Sequence, residues 1–339
     1  MKKTRFNLII IGILTIAIVV YILKTNDIAQ LKDVLKNARI SWLLAAGFCL
    51  LAYWFSESGV LYYTANSAKH KLTFKKAIQT TMIGQLFNNL TPFASGGQPV
   101  QAYFLTKNKF QVGEASSILL MKFIVYQCAL ILYSGVLLLV KFTFFMHHVT
   151  GLSYLVFLGF GVNFLVVACL ICIGFFPFFT EKVAAGLIKI LAKLKIIKNK
   201  DKAIKKANIQ IMEFYHGFRN LLQNKSVLIR TTIITLIQLT AFFIIPFCIC
   251  MSLQAISYSA LTVVAAGAFV LMISSFVPLP GASGGAEVSF YLFFGIFLAQ
   301  YSVLAVAIIL WRILTFYIPI IAGMLFCKFD HISPVSGDF

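Results

Sequence analysis

The chain has 339 residues, 60% of them hydrophobic and 12% charged, with a mean hydropathy of +0.92. No globular core can hide that much apolar surface, so an ordinary soluble domain is excluded and an integral membrane protein is required. The net charge of +19 would suit a nucleic-acid partner, but it gathers in one segment between apolar runs, so no nucleic acid is expected.

In chain order, the basic start "MKKTR" leads into an apolar run at 6–24 with no small-x-small cleavage site before Lys24, which reads as a retained anchor span. Further runs near 41–64, 115–141, 151–179, 227–251 and 302–327 are long enough to cross about 30 Å of hydrocarbon. Residues 73–106 and 258–300 are different: each predicts a helix, a Pro/Ser/Gly break and a short second helix. Between 181 and 225, eleven Lys and Arg face three acids. Two readings stay open there, amphipathic helices lying on anionic headgroups or a solvated linker, and both place the segment in the cytoplasm. The seven cysteines lie mostly in apolar runs and read as small packing residues, and His147-His148 falls in a short interfacial connection between spans. No metal, cofactor or catalytic set is expected.

The cytoplasmic placement of 181–225 fixes the parity of what precedes it. With the N-terminus inside, 73–106 must enter and leave on one face, as a re-entrant hairpin. Its turn "LTPFASGGQPVQAY" (90–103) returns as "PLPGASGGAEVSFY" (278–291), with Pro92 aligning on Pro280 at an offset of 188 residues. The same offset carries 41–64 onto 229–252 and 115–141 onto 303–329, so 41–141 and 227–329 form an internal repeat of span, hairpin, span. The single span at 151–179 between them makes the second copy inverted. The expected fold is therefore all-α, one membrane domain of about six spans and two broken-helix hairpins, with both termini cytoplasmic. Inverted repeats with broken helices meeting near the midplane are an architecture of transporters.

Within the apolar segments the ionisable residues are few: Glu57, Lys122, Glu287 and Arg312. Each costs about 2.5–3.5 kcal/mol near mid-bilayer and needs a partner or a task. Glu57 and Lys122 lie at similar depth, about 10 Å from the cytoplasmic ends of their spans, and are candidates for coupling or gating. Glu287 opens the half-helix after the second break and should meet Arg312. The candidate substrate-binding set comprises Asn88, Asn89, Pro92, Ser95, Gly96, Gly97, Gln98 and Gln101 at the first break. At the second it comprises Pro280, Ser283, Gly284, Gly285, Glu287 and Arg312. The four amides offer neutral donors to a headgroup, or else satisfy freed backbone groups. Gly96-Gly97 and Gly284-Gly285 precede short helices whose free N–H groups can receive an anion such as phosphate. A side chain at Gly97 or Gly285 should fill that space and block φ values open to glycine.

"GQLFNNLTPFASGGQPVQAYFL", "EASSILLMKFIVYQ", "EKVAAGLIKIL", "PLPGASGGAEVSF" and "LWRILTFYIPIIAG" together resemble the flippase-like family typified by the membrane region of lysylphosphatidylglycerol synthases, over about 6–327. The resemblance implies a bacterial plasma-membrane domain that moves lipids with anionic, glycosylated or aminoacylated headgroups between leaflets. Full-length synthases carry an aminoacyl transferase domain after this region, and none is expected after "KFDHISPVSGDF". With no Walker motif, translocation would be independent of ATP. Two alternatives remain: an integral membrane transferase of the phosphatidylglycerol lysyltransferase type, with Glu57 and Glu287 as its available acids, and a non-transporting scaffold for a cytosolic or membrane lipid-modifying enzyme.

Overall fold

The computed structural model describes residues 28–68, 70–148, 152–193, 200–255, 258–275, 277–298 and 300–329, and all regular structure among them is helical. The expected anchor at 6–24 lies outside the described residues. A short helix α1 (Ile28–Lys36) precedes the first long one, α2 (Ile40–Asn66). The runs at 41–64, 115–141, 227–251 and 302–327 are α2, α5 (Val112–His148), α9 (Lys225–Ser252) and the composite helix Tyr301–Cys327, each long and apolar enough to cross a bilayer. The composite is α12 (Tyr301–Arg312) and α13 (Ile318–Phe329) joined by a π turn, Ile313–Tyr317. The run at 151–179 ends sooner than hydropathy places it. Its helix α6 (Leu152–Phe175) stops before Pro177, which opens α7 (Pro177–Lys193), and the pair bends by 96°.

Both broken segments take the expected form. The first is α3 (Phe74–Leu90), a 3-10 turn at Pro92–Ala94 and α4 (Gly97–Lys107); the second is α10 (Ala260–Ser274), a turn at Pro280–Ala282 and α11 (Gly285–Phe294). Thr73 caps α3 by accepting from the Lys76 amide, and Thr91 leaves the helix in an extended conformation because a proline follows. The most extensive helix contact joins α2 to α9, the leading spans of the two repeats. Contacts then run crosswise: α3 packs on α13, α10 packs on α5, and the two turns touch each other. Each hairpin is thus seated on the closing span of the other repeat.

The basic segment divides into two helices with different partners. In α8 (Lys200–Gln223), Phe214, Phe218 and Leu221 are buried with Ile118, Leu119 and Met121 of α5, and the Gly113 amide donates to Gln210 Oε1 at 2.9 Å. A Cβ on Gly113 would strike the α8 backbone, and one on Gly217 would strike Ser117, so small residues set this close approach. The 37 residues of α5 extend about 55 Å, beyond the hydrocarbon thickness, which leaves its first turns free to receive α8. Phe214, Phe218 and Leu221 of α8 therefore face protein, while Ile209 and Met212 on the same helix stay exposed. Helix α7 keeps Phe178, Val183 and Ile190 exposed, with the Lys182 ammonium 4.2 Å from the Phe178 ring centre, as an amphipathic surface helix would. Tyr215 of α8 pins the bend by donating to the Ile173 carbonyl at 2.6 Å, beside Thr180 Oγ1 at 2.8 Å.

The histidine pair also differs from expectation. His147 and His148 form the last turn of α5 rather than a loop, and the His148 ring stacks on Phe144 with centres 4.4 Å apart. A helix this apolar continues to the end of its packing partners. Among the described residues no group of His, Cys, Asp and Glu could hold a metal ion. Cys248 and Cys250 pack in the main core, as small apolar residues do.

Candidate functional site

The two turns repeat each other in backbone as well as in letters. Thr91 and Leu279 enter at φ/ψ −118/145 and −118/150, and Phe93 and Gly281 then adopt 54/21 and 60/21. Ala94 and Ala282 follow, also left-handed, at φ 51 and 53. Ser95 and Ser283 close the turns by donating to the Pro92 and Pro280 carbonyls at 2.9 and 2.8 Å. The copies part at these serines, Ser95 having ψ −16 and Ser283 ψ 138, and Gly96 and Gly284 follow at φ −82 and +87.

These angles correct the role assigned to the paired glycines. Gly97 and Gly285 do not need a left-handed backbone; in the first turn Phe93 and Ala94 carry that strain. What holds Gly97 and Gly285 to glycine is space, and the protein itself fills it. A Cβ on Gly97 would meet the Asn88 carboxamide and the Gly84 carbonyl, and one on Gly285 would meet the Val277 side chain. The helix starts are occupied too. The Gly97 amide donates to Asn88 Oδ1 at 2.9 Å, the Gly96 amide to Thr91 Oγ1 at 2.7 Å, and the Gly284 amide to Glu287 Oε2 at 2.7 Å.

Arg312 and Glu287 meet as their positions require. Arg312 Nε donates to Glu287 Oε1 at 2.6 Å, and Nη1 and Nη2 donate to the Gly281 and Ala282 carbonyls at 3.0 and 3.5 Å. The planar guanidinium thus holds a carboxylate and both left-handed residues of the turn at once, a task suited to its fixed fork of donors. It lies between the Trp311 and Phe316 rings, 5.2 and 5.4 Å from their centres, and Arg312 as a whole is 8% exposed. Phe316 belongs to the π turn and packs into a cluster with Ile83, Leu86, Val100 and Phe104 of the first hairpin, while its ring also occupies the place of a Cβ on Gly281.

The second ion pair is more branched. Lys122 Nζ donates to Glu57 Oε1 at 2.7 Å and to Gln101 Oε1 at 3.4 Å, and Gln85 Nε2 donates to Glu57 Oε2. Gln85 also reaches the Tyr53 hydroxyl at 3.4 Å. Gln101 lies over Gly84, where a Cβ would strike its carboxamide. One carboxylate of α2 therefore ties α3 directly, and α4 through the lysine of α5. Of the four amides expected at the first break, Asn88 caps α4, Asn89 donates to the Gln85 carbonyl at 2.9 Å, Gln101 serves Lys122, and Gln98 is half-buried beside the turn. Gln85, Tyr53, Thr91 and Phe316 were absent from the sequence-derived set; Gln85, a buried-run amide one turn before Asn88-Asn89, is the one whose polarity could have drawn notice.

A separate polar cavity of about 280 Å³ shares none of these residues and lies among the end of α2, the start of α5 and α8, with His70, Glu114, Glu213 and His216 in its wall. His70 Nδ1 and Glu114 Oε2 are 2.9 Å apart there.

Interlocked broken helices, crossing spans and buried ion pairs define a multi-pass α-helical membrane protein. The chain belongs to the lysylphosphatidylglycerol synthase TM region family, which it matches over residues 9–323. It is also similar to a UPF0104 membrane protein of Archaeoglobus fulgidus, 24% identical over 330 residues that cover 95% of this chain and 97% of that one.

Proposed function

We propose that the chain is an ATP-independent, flippase-like translocase that moves lipids with an anionic, glycosylated or aminoacylated headgroup between the leaflets of the plasma membrane. The observation that carries this reading is the meeting of two turns, one bonded to the Arg312–Glu287 pair and the other flanked by helices that hold the Glu57–Lys122 pair. Irregular backbone at membrane depth persists only inside protein or against a wet cavity, and in transporters paired broken helices enclose the substrate. On this reading 73–106 and 258–300 are re-entrant hairpins of an inverted repeat, entering from opposite faces. The family name points to lipid as the substrate class.

Both helix starts carry the protein's own oxygens in the described conformation, so a headgroup enters by exchange. A phosphate or sugar oxygen replaces Asn88 at the Gly97 amide, or Glu287 at the Gly284 amide, while the acyl chains stay in lipid. Ser95, which is exposed, and half-buried Gln98 lie where such a headgroup first arrives. Reconstitution tests the proposal: proteoliposomes carrying a panel of fluorescent glycolipids, aminoacyl lipids and plain phospholipids are scored for inner-to-outer exchange. Faster movement of at least one class than in protein-free vesicles is expected; no acceleration for any class sinks the proposal.

A further inference from the structure

The two buried ion pairs differ in what they can do. Arg312 is fixed to two turn carbonyls as well as to Glu287. Lys122 and Glu57 form a pair in which the carboxylate can take up a proton, and their remaining contacts are with neutral groups. Glu57 faces Tyr53 on its own helix, Gln85 on α3, and Lys122 and Tyr126 on α5; Gln238 of α9 reaches Tyr53. Glu57 is 5% exposed, and no second cation or carboxylate contacts the pair among the described residues.

Charge conservation in such a site is restrictive. With Glu57 ionised the cluster is neutral. A headgroup phosphodiester brought to Lys122 would leave it at minus one, and an uncompensated charge in a low-dielectric interior is expensive. If Glu57 takes a proton on Oε1, the oxygen that Lys122 releases, the ammonium is freed for the phosphate and the cluster returns to zero. The proton comes from the water on the face where the headgroup enters and leaves with it on the other. Lys122 is well placed for the exchange because it already reaches Gln101, one turn inside the half-helix that starts at Gly97.

We infer that Glu57 and Lys122 form a proton site through which one proton accompanies each anionic headgroup across the membrane. The inference rests on the translocase reading and adds its coupling. It assigns the two repeats unlike roles: the Arg312 pair braces its turn, and the Glu57 pair exchanges charge.

The test uses the full chain in vesicles of phosphatidylcholine containing a trace of acyl-labelled phosphatidylglycerol, with the membrane potential clamped to zero and a pH step imposed. One proton per headgroup shifts the inner-to-outer ratio of the probe by about tenfold per pH unit, with accumulation on the alkaline side. Labelled phosphatidylcholine, which carries no net charge, should not respond. The double variant Glu57→Gln with Lys122→Met keeps the site neutral and guards against the misfolding that one stranded charge would cause; it should show no pH-driven accumulation. Phosphatidylglycerol that moves in the wild type but distributes evenly despite the pH step overturns the inference alone, as does a double variant that still accumulates it. No phosphatidylglycerol movement at any pH overturns the inference, whereas no movement of any lipid class overturns the translocase reading as well.

Discussion

Gly281→Ala is the perturbation whose cost the fold bounds best. Gly281 has φ +60, where a Cβ costs about 1–2 kcal/mol. The new methyl would also land in the ring of Phe316, which is 2% exposed and held on its other side by the first hairpin. Overpacking a filled site adds about 1–3 kcal/mol, so the total should be roughly 2–5 kcal/mol. Gly284→Ala makes a comparison of a different kind, because nothing lies within 4 Å of the added Cβ and its whole cost is backbone strain, about 1–3 kcal/mol at φ +87 and ψ −60. Denaturant titration of both variants in mixed micelles, followed by Trp fluorescence, measures the difference. Adding Phe316→Leu to Gly281→Ala should recover stability, with a coupling of about 1–3 kcal/mol in the double-mutant cycle. No coupling of Gly281→Ala to residue 316, or an equal coupling of Gly284→Ala to it, would refute the close approach of the second turn to the last span.

Cysteine-accessibility labelling should find 107–113 and 181–225 on the cytoplasmic face and 252–257 outside; external labelling of a cysteine placed at 198–206 contradicts the inverted repeat. Arg312→Lys should insert and purify like the parent but lose most lipid movement, because an ammonium cannot hold Glu287 and both turn carbonyls together. If Arg312→Ala with Glu287→Gln transports normally in the same vesicles, neither the brace nor exchange at Glu287 is needed for lipid movement. Gly113→Leu should part α8 from α5 and raise amide exchange across Lys200–Gln223, while the exchange of Ile40–Asn66 stays as it was; unchanged exchange in α8 would show that the contact does not hold that helix.

The breaks were legible because proline, serine and glycine punctuate a helix wherever it lies, and the ion pairs because depth along a span follows from helical rise. The family and the all-α membrane class were legible for the same reasons. Other features were hidden by the apolar medium. When every face of a helix is greasy, periodicity does not say which face meets protein and which meets lipid, so the seat of α3 on α13 left no trace in the sequence. The partner of α8 was hidden differently, since the stripe of Phe214, Phe218 and Leu221 suits a bilayer surface as well as the start of α5. Nor could the letters say that Phe93, rather than a neighbouring glycine, takes the left-handed backbone.

The π turn at Ile313–Tyr317 has no counterpart in the first repeat, where the aligned positions 125–129 run through α5 as unbroken helix. One extra residue in a helical turn advances everything after it by about 100° around the axis. Arg312, before that step, faces the second turn, and Gly323, after it, lies against the backbone of α3 at Met82. A chain built by duplication begins with two interchangeable halves that can only move alike. Here a widened turn, with no residue added to the sequence, lets one closing span serve both hairpins while its twin continues as unbroken helix, so the halves are no longer interchangeable.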